Sequence, residues 1–405
     1  MFINSNFSES LADLVVSEIP TLAKSELAAR ISANIVSPRV VSLSRKNFDL
    51  VQSFVQTIYK LRENRTYQQE VLSQSRQFEM QMANPGNHSI LNCYDFHIGL
   101  DGLPRLIEIN TNAACLAVGH FVYQVHGLKN PVADFHLTEI CENILTEMSE
   151  FQNDLQNKNK GGTKQHGQSG KGNIVIIDDQ PSQQNLYFEF LIYKELFKKF
   201  GFQCEIKDFR EDLSSFDFIY NRTVDFYFRG SDYQRLRKYF ENHEKCISPS
   251  PFEYLLLADK ERMVGLSQRD FLSRFISDPS AIETVLSIIP KTLLMKDADL
   301  SEIWKNRKTL FFKPKNSYGS KQVYRGQKIA RNMFDKIAHE DFIAQEYVEA
   351  PEIIFETPEG PKPFKYDFRF YTYKDRVQMV LARVYQGQVT NLQTQYGGFA
   401  PVVIR

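Results

Sequence analysis

Hydrophobic residues recur at helical spacing through the first part of the 405-residue chain. The clearest stripe, with members three and four positions apart, consists of Phe48, Val51, Phe54, Val55, Ile58 and Leu61. A second stripe of the same kind consists of Leu11, Val15, Ile19, Leu22 and Leu27. This periodicity predicts helices over most of residues 1 to about 85. The turn-forming run from Asn84 to Asn87 then ends the helical region.

The pattern changes to short apolar runs after this point. Tyr94–Leu100 and Leu103–Ile109 are joined at Asp101-Gly102, which is a strong signal for a β-hairpin. Another helix is predicted from about Pro131 to Leu155. Residues 153 to 173 contain hardly any large apolar side chain. Because such a stretch cannot bury enough surface to offset its ordering entropy, it is predicted to be a flexible loop or linker.

A new unit begins at residue 173. Its predicted elements are a strand Asn173–Ile177, a helix from about Gln184 to Phe200 ended by Gly201, and strands Gln203–Asp208 and Phe216–Tyr220. This β-α-β pattern is typical of a small parallel sheet. From about Pro251 onward, short helices alternate with the predicted strands Leu310–Lys313, Phe342–Tyr347, Phe364–Tyr373 and Gln378–Arg383.

Composition narrows the class of protein. The 49 Lys and Arg residues balance 49 Asp and Glu, which argues against binding nucleic acid or an anionic membrane mainly through counterion release. The longest apolar runs fall far short of the roughly 20 residues that span a bilayer, and the chain does not start like a signal peptide. Five widely spaced cysteines without a C-x-x-C pair indicate reduced thiols. We therefore expect a soluble, cytoplasmic, multidomain protein.

The predicted hairpin carries the most specific chemistry. Glu108 and Asn110 are two positions apart on one strand, so their side chains share a face, and the turn folds Asp95 back beside them. Two carboxylates and an amide oxygen are hard ligands that suit Mg²⁺ bound together with substrate phosphates. The alternative is that all three are polar residues on the solvent face of an edge hairpin.

These residues resemble a known family. Asp95, Glu108 and Asn110, with Glu-Ile-Asn-Thr at the end of the hairpin, look like the metal-binding signature of ATP-grasp ligases such as D-alanine–D-alanine ligase and glutathione synthetase. In most of that family the hairpin lies near the C-terminus. Its early position resembles the circularly permuted ATP-grasp fold of eukaryotic glutathione synthetase.

Further segments match the family in the permuted order. The run from Leu310 to Ser320 resembles the ATP-grasp strand and phosphate loop, and the run from Phe342 to Glu349 resembles the strand that meets adenine. Asp367 and Arg369 resemble the Asp-x-Arg strand, and Arg383, Asn391 and Gly397-Gly398 resemble the closing strand and loop. The resemblance implies nucleotide contacts from Lys260, Lys313, Lys315, Ser317, Gly319, Ser320, Glu346, Tyr347, Val348, Glu349, Asp367 and Asn391. Taken alone, the loop lysines are better explained as a surface turn and Lys260 as an exposed helical lysine, and a surface ion pair is the alternative for Asp367–Arg369.

The resemblance implies a mixed α/β (α+β) fold. It would be a circularly permuted ATP-grasp with an N-terminal helical region and an inserted Rossmann-like β-α-β substrate domain. The expected division is 1–150 for the helices and hairpin, 151–173 for the linker, 174–250 for the substrate domain and 251–405 for the lid and core. A homodimer is a further expectation, because many relatives dimerise and the apolar helices before residue 60 could form its surface.

The implied activity is ATP-dependent ligation of a carboxylate to an amine through an acyl phosphate, with release of ADP and phosphate. Arg369 and Lys313 are the implied catalytic residues, and two Mg²⁺ ions would be held by Asp95, Glu108 and Asn110. The dipeptide site of glutathione synthetases is not matched, because Ala113 and Cys115 replace its serines and Cys93 lies near its arginine position. The substrate therefore stays open, with glutathione as one candidate product.

Two other functions stay open at this stage. One is an ATP-grasp kinase for a polyol, against which the absence of Lys/Arg clusters argues. The other is a catalytically inactive nucleotide-binding scaffold. Arg222, which follows a predicted strand, could meet a substrate carboxylate, but a surface position at the strand end is the favoured interpretation.

Overall fold

The structure, a computed structural model, describes residues 7–74, 80–132, 134–158, 171–316, 322–387, 390 and 394–405. It is a mixed α/β protein. The helices are α1 (Phe7–Glu18), α2 (Lys24–Ala28), α3 (Arg45–Glu63), α4 (Arg65–Gln74), α5 (Leu116–Val125), α6 (Glu139–Lys158), α7 (Tyr187–Phe200), α8 (Gln234–Glu241), α9 (Pro251–Glu253), α10 (Arg262–Leu266), α11 (Arg269–Leu272), α12 (Pro279–Ile288), α13 (Leu300–Asn306) and α14 (Arg331–Ile337). The strands are β1 (Val41–Leu43), β2 (Asn92–Ile98), β3 (Pro104–Asn110), β4 (Asn173–Asp178), β5 (Gln203–Asp208), β6 (Phe218–Asn221), β7 (Cys246–Ser248), β8 (Thr292–Leu294), β9 (Leu310–Pro314), β10 (Tyr324–Arg325), β11 (Phe342–Glu346), β12 (Glu352–Thr357), β13 (Gly360–Tyr373), β14 (Arg376–Tyr385) and β15 (Gly398–Ile404).

The largest sheet has seven strands in the order β1-β15-β14-β13-β2-β3, with β12 paired to the outer part of β13. Its neighbours are antiparallel except for β1 and β15, which run parallel. The sheet therefore joins segments from both ends of the chain. The predicted hairpin is confirmed as β2 and β3, and β13 pairs with β2 across 270 residues or more of sequence.

Both faces of this sheet are covered. Along β14, Val380 and Ala382 pack into one core with the apolar stripe of α3, while Met379 and Leu381 pack into a second core with α1 and α5. This alternation follows from the pleat, which turns successive side chains to opposite faces. The apolar residues of α1 and α3 are thus buried within the chain, so they do not provide the dimer surface expected from the sequence.

A second sheet contains four antiparallel strands in the order β10-β9-β11-β8. A small separate core lies beneath it, built around Phe312, Phe334 and Ile303. This unit, which we call the lid sheet, carries the run predicted to contact nucleotide.

The third sheet has the order β5-β4-β6-β7 and is entirely parallel. The predicted β-α-β pattern is confirmed, and α7 ends at Gly201, whose φ of 106° suits a residue without a side chain. β4 pairs with β5 on one side and with β6 on the other, so the chain reverses its winding direction between β4 and β6. Open parallel sheets form crevices at the carboxyl ends of the strands at such a point.

Two predicted boundaries are wrong. Helix α6 begins at Glu139 instead of near 131 and continues to Lys158, because Phe151 is buried and Leu155 packs beside the core. The linker expected at 151–173 therefore starts too early, and its residues 159–170 lie outside the described part of the chain. Within the described ranges, no helix is long and apolar enough to cross a membrane.

Candidate functional site

The three sheets surround one cavity of about 560 Å³. One wall is formed by charged and polar residues of β2, β3, β13 and β14, a second is the lid sheet, and the third is formed by the carboxyl ends of β4 and β6. Most of the residues that the sequence nominated for nucleotide or metal binding line this space.

Strand register brings the predicted charged residues together on one face of the large sheet. Asp95 lies opposite Glu108 on one side and opposite Arg369 on the other. Asp367 lies opposite Arg383. Directly opposed residues on neighbouring strands share a face, so a single surface carries alternating carboxylates and guanidinium groups.

Asp95 is the centre of this surface and is fully buried. Its oxygens accept hydrogen bonds from Nε and Nη2 of Arg369, both at 2.8 Å, and from Nη2 of Arg383 at 3.0 Å. Arg383 also donates to Asp367 at 2.7 Å and 3.0 Å. Burial alone would raise the pKa of Asp95, but the charges of Arg369 and Arg383 hold it below its usual value. Asp95 thus fixes two arginines in place.

Glu108 and Asn110 are less enclosed than Asp95. Nδ2 of Asn110 lies 3.2 Å from Oε1 of Glu108 and 3.4 Å from Oδ2 of Asp95. Nζ of Lys260 lies 3.9 Å from Oε2 of Glu108. Lys260 is in the turn before α10, outside any helix, and it lines the cavity.

Lys313 is the penultimate residue of β9, and its side chain is buried. Its Nζ donates to the carbonyl of Ile107 at 3.0 Å and to Oε1 of Gln345 at 2.8 Å. Burial, with the nearby charge of Lys260 adding to it and that of Glu108 opposing it, lowers the pKa of Lys313 to about 8. An ammonium group held by neutral oxygens in a cavity suits an anionic ligand.

The lid strand β11 and the residues after it also reach the cavity. Glu346, Tyr347 and Val348 line it, whereas Glu349 is exposed and is not among the lining residues. His97 was missed by the sequence analysis. Its Nδ1 lies 3.0 Å from the carbonyl of Val348, so it ties β2 to this segment. A single histidine on a strand gives no signal of such a contact.

The side chain of Lys315 pairs with acidic residues outside the cavity. Its Nζ lies 2.5 Å from Oε2 of Glu261 and 3.9 Å from Asp341, and the residue does not line the cavity. Four other predicted nucleotide contacts, Ser317, Gly319, Ser320 and Asn391, lie outside the described residues.

The opposite end of the cavity is formed by the parallel sheet. Asp178 ends β4 and Arg222 follows β6, so both lie at the crevice where the winding reverses. The surface position favoured for Arg222 is wrong, because the residue is only 9% exposed. Its Nη1 donates to Asn112 and to the carbonyl of Ala113, both at 2.5 Å, and its Nε has no hydrogen-bond partner among the described residues. Burial raises the pKa of Asp178 to about 6.

The segment that replaces the dipeptide-binding serines of glutathione synthetases is packed against other parts of this chain. Ala113 and Cys115 are both buried. The carboxylate of Glu189 accepts the backbone N–H groups of Cys115 at 2.8 Å and Ala117 at 3.2 Å, at the start of α5. Burial raises the pKa of the Cys115 thiol, so it stays protonated.

Comparison with solved structures bears on this architecture. A glutathione synthetase-like effector from Globodera pallida, in its apo form, superposes with a TM-score of 0.54 at 10% identity, over 91% of this chain and 90% of that chain. This chain shares the fold of a glutathione synthetase-like protein. The resemblance expected from the motifs is thereby confirmed at the level of fold, while the permuted order of segments stays a prediction.

Two further structures are more distant. A γ-glutamylcysteine synthetase-like protein from Methylobacillus flagellatus gives a TM-score of 0.41 at 11% identity, over 85% of each chain. The D-cycloserine synthetase DcsG gives 0.31 at 14% identity, over 49% of this chain and 68% of that chain. Neither score is high enough to support an argument. No protein-family model and no curated protein matches the sequence.

Proposed function

We propose that the chain is an ATP-dependent ligase that joins a carboxylate to an amine through an acyl phosphate, releasing ADP and phosphate. The observation that carries this proposal is the cation set around one cavity. Lys313 is buried without a carboxylate in contact, and Arg369 and Arg383 are fixed by Asp95. Such groups are placed to stabilise the anionic oxygens of a phosphoryl group during transfer.

Two of the three predicted metal ligands are suited to hold Mg²⁺. Glu108 and Asn110 offer hard oxygens on the cavity face, with Glu108 partly exposed. Asp95, also predicted as a ligand, has both oxygens bonded to arginines. We therefore assign the metal to Glu108 and Asn110 and give Asp95 the role of positioning the arginines. When bound, Mg²⁺ would neutralise charge on the phosphates.

The chain's own residues perform the remaining tasks. Arg369 bonds Asp95 through Nε and Nη2, which leaves Nη1 to meet the transferred phosphoryl group. Lys313 is protonated below its pKa of about 8 and neutralises a second anionic group. His97 holds the carbonyl of Val348 and so positions the segment expected to meet the nucleobase. The lid sheet and the parallel sheet together exclude water from the acyl phosphate.

The crevice of the parallel sheet indicates the class of one substrate. Arg222 presents a buried guanidinium with an unpartnered Nε, which suits a carboxylate, and Asp178 lies across the same crevice as a partner for an amine. A small amino acid carries both groups. Ala113 and Cys115 are buried, and the backbone N–H of Cys115 is bonded to Glu189. This packing argues against a γ-glutamyl dipeptide bound in the manner of glutathione synthetases.

A second candidate is a nucleotide-binding protein without turnover. It is favoured by the engagement of Asp95 with arginines, because Glu108 is then the single carboxylate among the three predicted metal ligands that is open to a metal ion. Two Mg²⁺ ions are usually held by more than one carboxylate from the protein.

Turnover assays separate the candidates. Mg-ATP would be supplied with pairs of carboxylic acids and amino acids, and ADP and amide product would be measured. The ligase proposal predicts ADP release that requires both partners. Arg222→Lys should lower kcat/KM for the carboxylate-bearing substrate by roughly 10- to 100-fold, while Arg210→Lys, an exposed arginine of the same domain, should leave it unchanged. ADP release without amide would indicate a kinase, and nucleotide binding without ADP release would indicate a scaffold.

A further inference from the structure

The unit that contains the parallel sheet contributes apolar as well as charged residues to the cavity. The proposed function assigns its charged pair, Arg222 and Asp178, to the carboxylate and the amino group of an amino acid. Apart from this pair and two amide side chains, the residues of this unit that line the cavity are apolar. They form what we call the apolar shelf, which consists of Leu186, Phe190, Val224 and Phe226.

One member of the shelf is open to solvent. In the described part of the chain, four large apolar side chains are exposed, namely Val224, Val40, Leu100 and Ile354. Val224 is the one among them that lines the cavity between the three sheets, and it is 38% exposed. An apolar side chain left open in a concave site, where a ligand can cover it, indicates a ligand with an apolar group.

The shelf lies beside the guanidinium group of Arg222. Cζ of Arg222 is 5.9 Å from the centre of the Phe190 ring. Leu186 directly precedes α7 and Phe190 comes one turn later, so both lie on the same side of the start of this helix. Val224 and Phe226 follow Arg222 by two and four positions. A ligand whose carboxylate is bound by Arg222 therefore has the shelf within reach of its side chain.

Surrounding contacts hold the shelf in place. The ring of Phe226 stacks on that of Tyr254, with centres 4.2 Å apart and 9° between the ring planes. The carbonyl of Thr223 accepts a hydrogen bond from Nδ2 of Asn112 at 2.9 Å, and its hydroxyl donates to Oδ1 of Asn221 at 2.7 Å. Because these contacts fix the segment that carries Val224, little ordering is needed when a ligand covers it.

The chemistry of the shelf favours an uncharged, apolar group. Its four side chains offer no hydrogen-bonding atom. Of the two neighbouring amides, Gln184 donates through Nε2 to the carbonyl of Asp179 at 2.5 Å, and Asn185 is exposed. A polar group placed on the shelf would lose water without gaining a partner, whereas an apolar group is stabilised in proportion to the area it removes from water.

We propose that the amino acid bound by Arg222 and Asp178 carries an apolar side chain, of the size of valine or leucine, which packs on the apolar shelf. This inference rests on the proposed function, because it takes from it the assignment of an amino acid to the crevice. It narrows the substrate class from small amino acids in general to apolar ones. It also makes Val224 a specificity-determining residue.

The test compares two amino acids of nearly equal size and different polarity, L-leucine and L-asparagine. Each is titrated by calorimetry into the full-length protein in the presence of Mg-ADP. We expect leucine to bind at least about tenfold more tightly than asparagine. Val224→Asn should remove most of this preference. Arg222→Lys should weaken the binding of both amino acids and leave their ratio unchanged.

Val40→Asn is the matched control, because Val40 is 39% exposed and does not line the cavity. It should keep the preference of the wild type for leucine. The inference is overturned if the wild type binds the two amino acids equally, if it binds neither, or if Val224→Asn discriminates between them as well as Val40→Asn does.

Amide formation separates this inference from the proposed function. Selective binding of leucine, without an amide product from any acid supplied with Mg-ATP, would contradict the ligase and keep the apolar specificity. Amide formation with asparagine as readily as with leucine would keep the ligase and overturn the specificity.

Discussion

Two clusters of charged groups lie along β2 and β13. One has more cations than carboxylates, and the other has more carboxylates than permanent cations. In the cavity cluster, three carboxylates meet four permanent cations, namely Arg369, Arg383, Lys260 and Lys313 against Asp95, Asp367 and Glu108. In the second cluster, which we call the His88 cluster, the carboxylates of Glu63, Glu147, Glu150 and Glu253 meet the permanent cations Arg62 and Lys374. They also meet His88: burial opposes its charge, but hydrogen bonds to Glu147, Glu150 and Glu63 raise its pKa to about 10. The first has an excess of cations that suits an anionic ligand, whereas in the second a protonated histidine of the chain offsets part of the excess negative charge.

The difference shows why the same residue type has different roles in the two places. Asp95 is saturated by guanidinium groups, so its charge serves to hold cations for a ligand. Glu147 and Glu150 each bring one oxygen close to Nδ1 of His88, so their charge serves to hold a protonated imidazole of the chain itself. The balance of charge around a buried carboxylate is thus more informative than its presence.

Asp95→Asn should produce the largest effect, because it leaves two buried arginines without their shared carboxylate. Removing one partner of a buried ion pair costs about 3–5 kcal/mol of unfolding free energy. Urea denaturation would measure the loss. A change below about 1 kcal/mol would show that the cavity cluster does not depend on Asp95 for its balance.

Lys313→Met should alter nucleotide binding in a pH-dependent manner. Burial, with Lys260 contributing, lowers the pKa of Lys313 to about 8, and bound phosphate would raise it again. ATP affinity of the wild type should therefore be flat below pH 8 and fall above it, by up to about tenfold per pH unit. Calorimetry at pH 7 and pH 9 would measure this slope, which Lys313→Met should lack.

Without nucleotide, the unfolding free energy of the wild type should rise with pH, whereas its ATP affinity should fall. A lysine whose pKa is lower in the folded state binds fewer protons than in the unfolded chain between about pH 8 and its ordinary value of 10.5. Unfolding free energy should therefore rise with pH in that window, relative to Lys313→Met. A wild type that loses stability relative to the variant there would contradict the assigned pKa.

Glu63→Gln should have the smallest effect. The side chain is 43% exposed and belongs to the cluster with excess negative charge. Its removal should change the unfolding free energy by less than about 1 kcal/mol, because Arg62 keeps its ion pair with Glu253. If the loss approached that of Asp95→Asn, the two clusters would not differ in charge balance as described.

Local pattern predicted the elements that carry the cavity but not every contact within it. The hairpin of β2 and β3 follows from its Asp-Gly turn and apolar runs, and β9 follows from the apolar run that ends at Lys313. The bidentate pair of Asp95 and Arg369 joins residues 274 positions apart. Sequence spacing cannot predict a contact between residues so far apart. The sequence analysis therefore interpreted Asp95 as a metal ligand instead of an arginine partner.

The His88 cluster was missed for a related reason. Glu147 and Glu150 are three positions apart on α6, which is an ordinary spacing for solvated helix carboxylates. His88 comes about 60 residues earlier, in a segment without helix or strand. Tertiary packing alone brings these residues together. Arg222 was likewise placed at the surface because burial of a strand-end arginine is visible only once the sheets pack.

The central claim is that the cavity binds Mg-ATP through the face that carries Glu108. Titration of ATP into the wild type and Glu108→Gln, each with and without Mg²⁺, tests it directly. Glu142→Gln, which changes an exposed carboxylate of α6 outside the cavity, is the matched control. We predict binding to the wild type that requires Mg²⁺ and a loss of that requirement, with much weaker binding, in Glu108→Gln. Absence of ATP binding in the wild type, or binding unchanged by the substitution, would contradict the account.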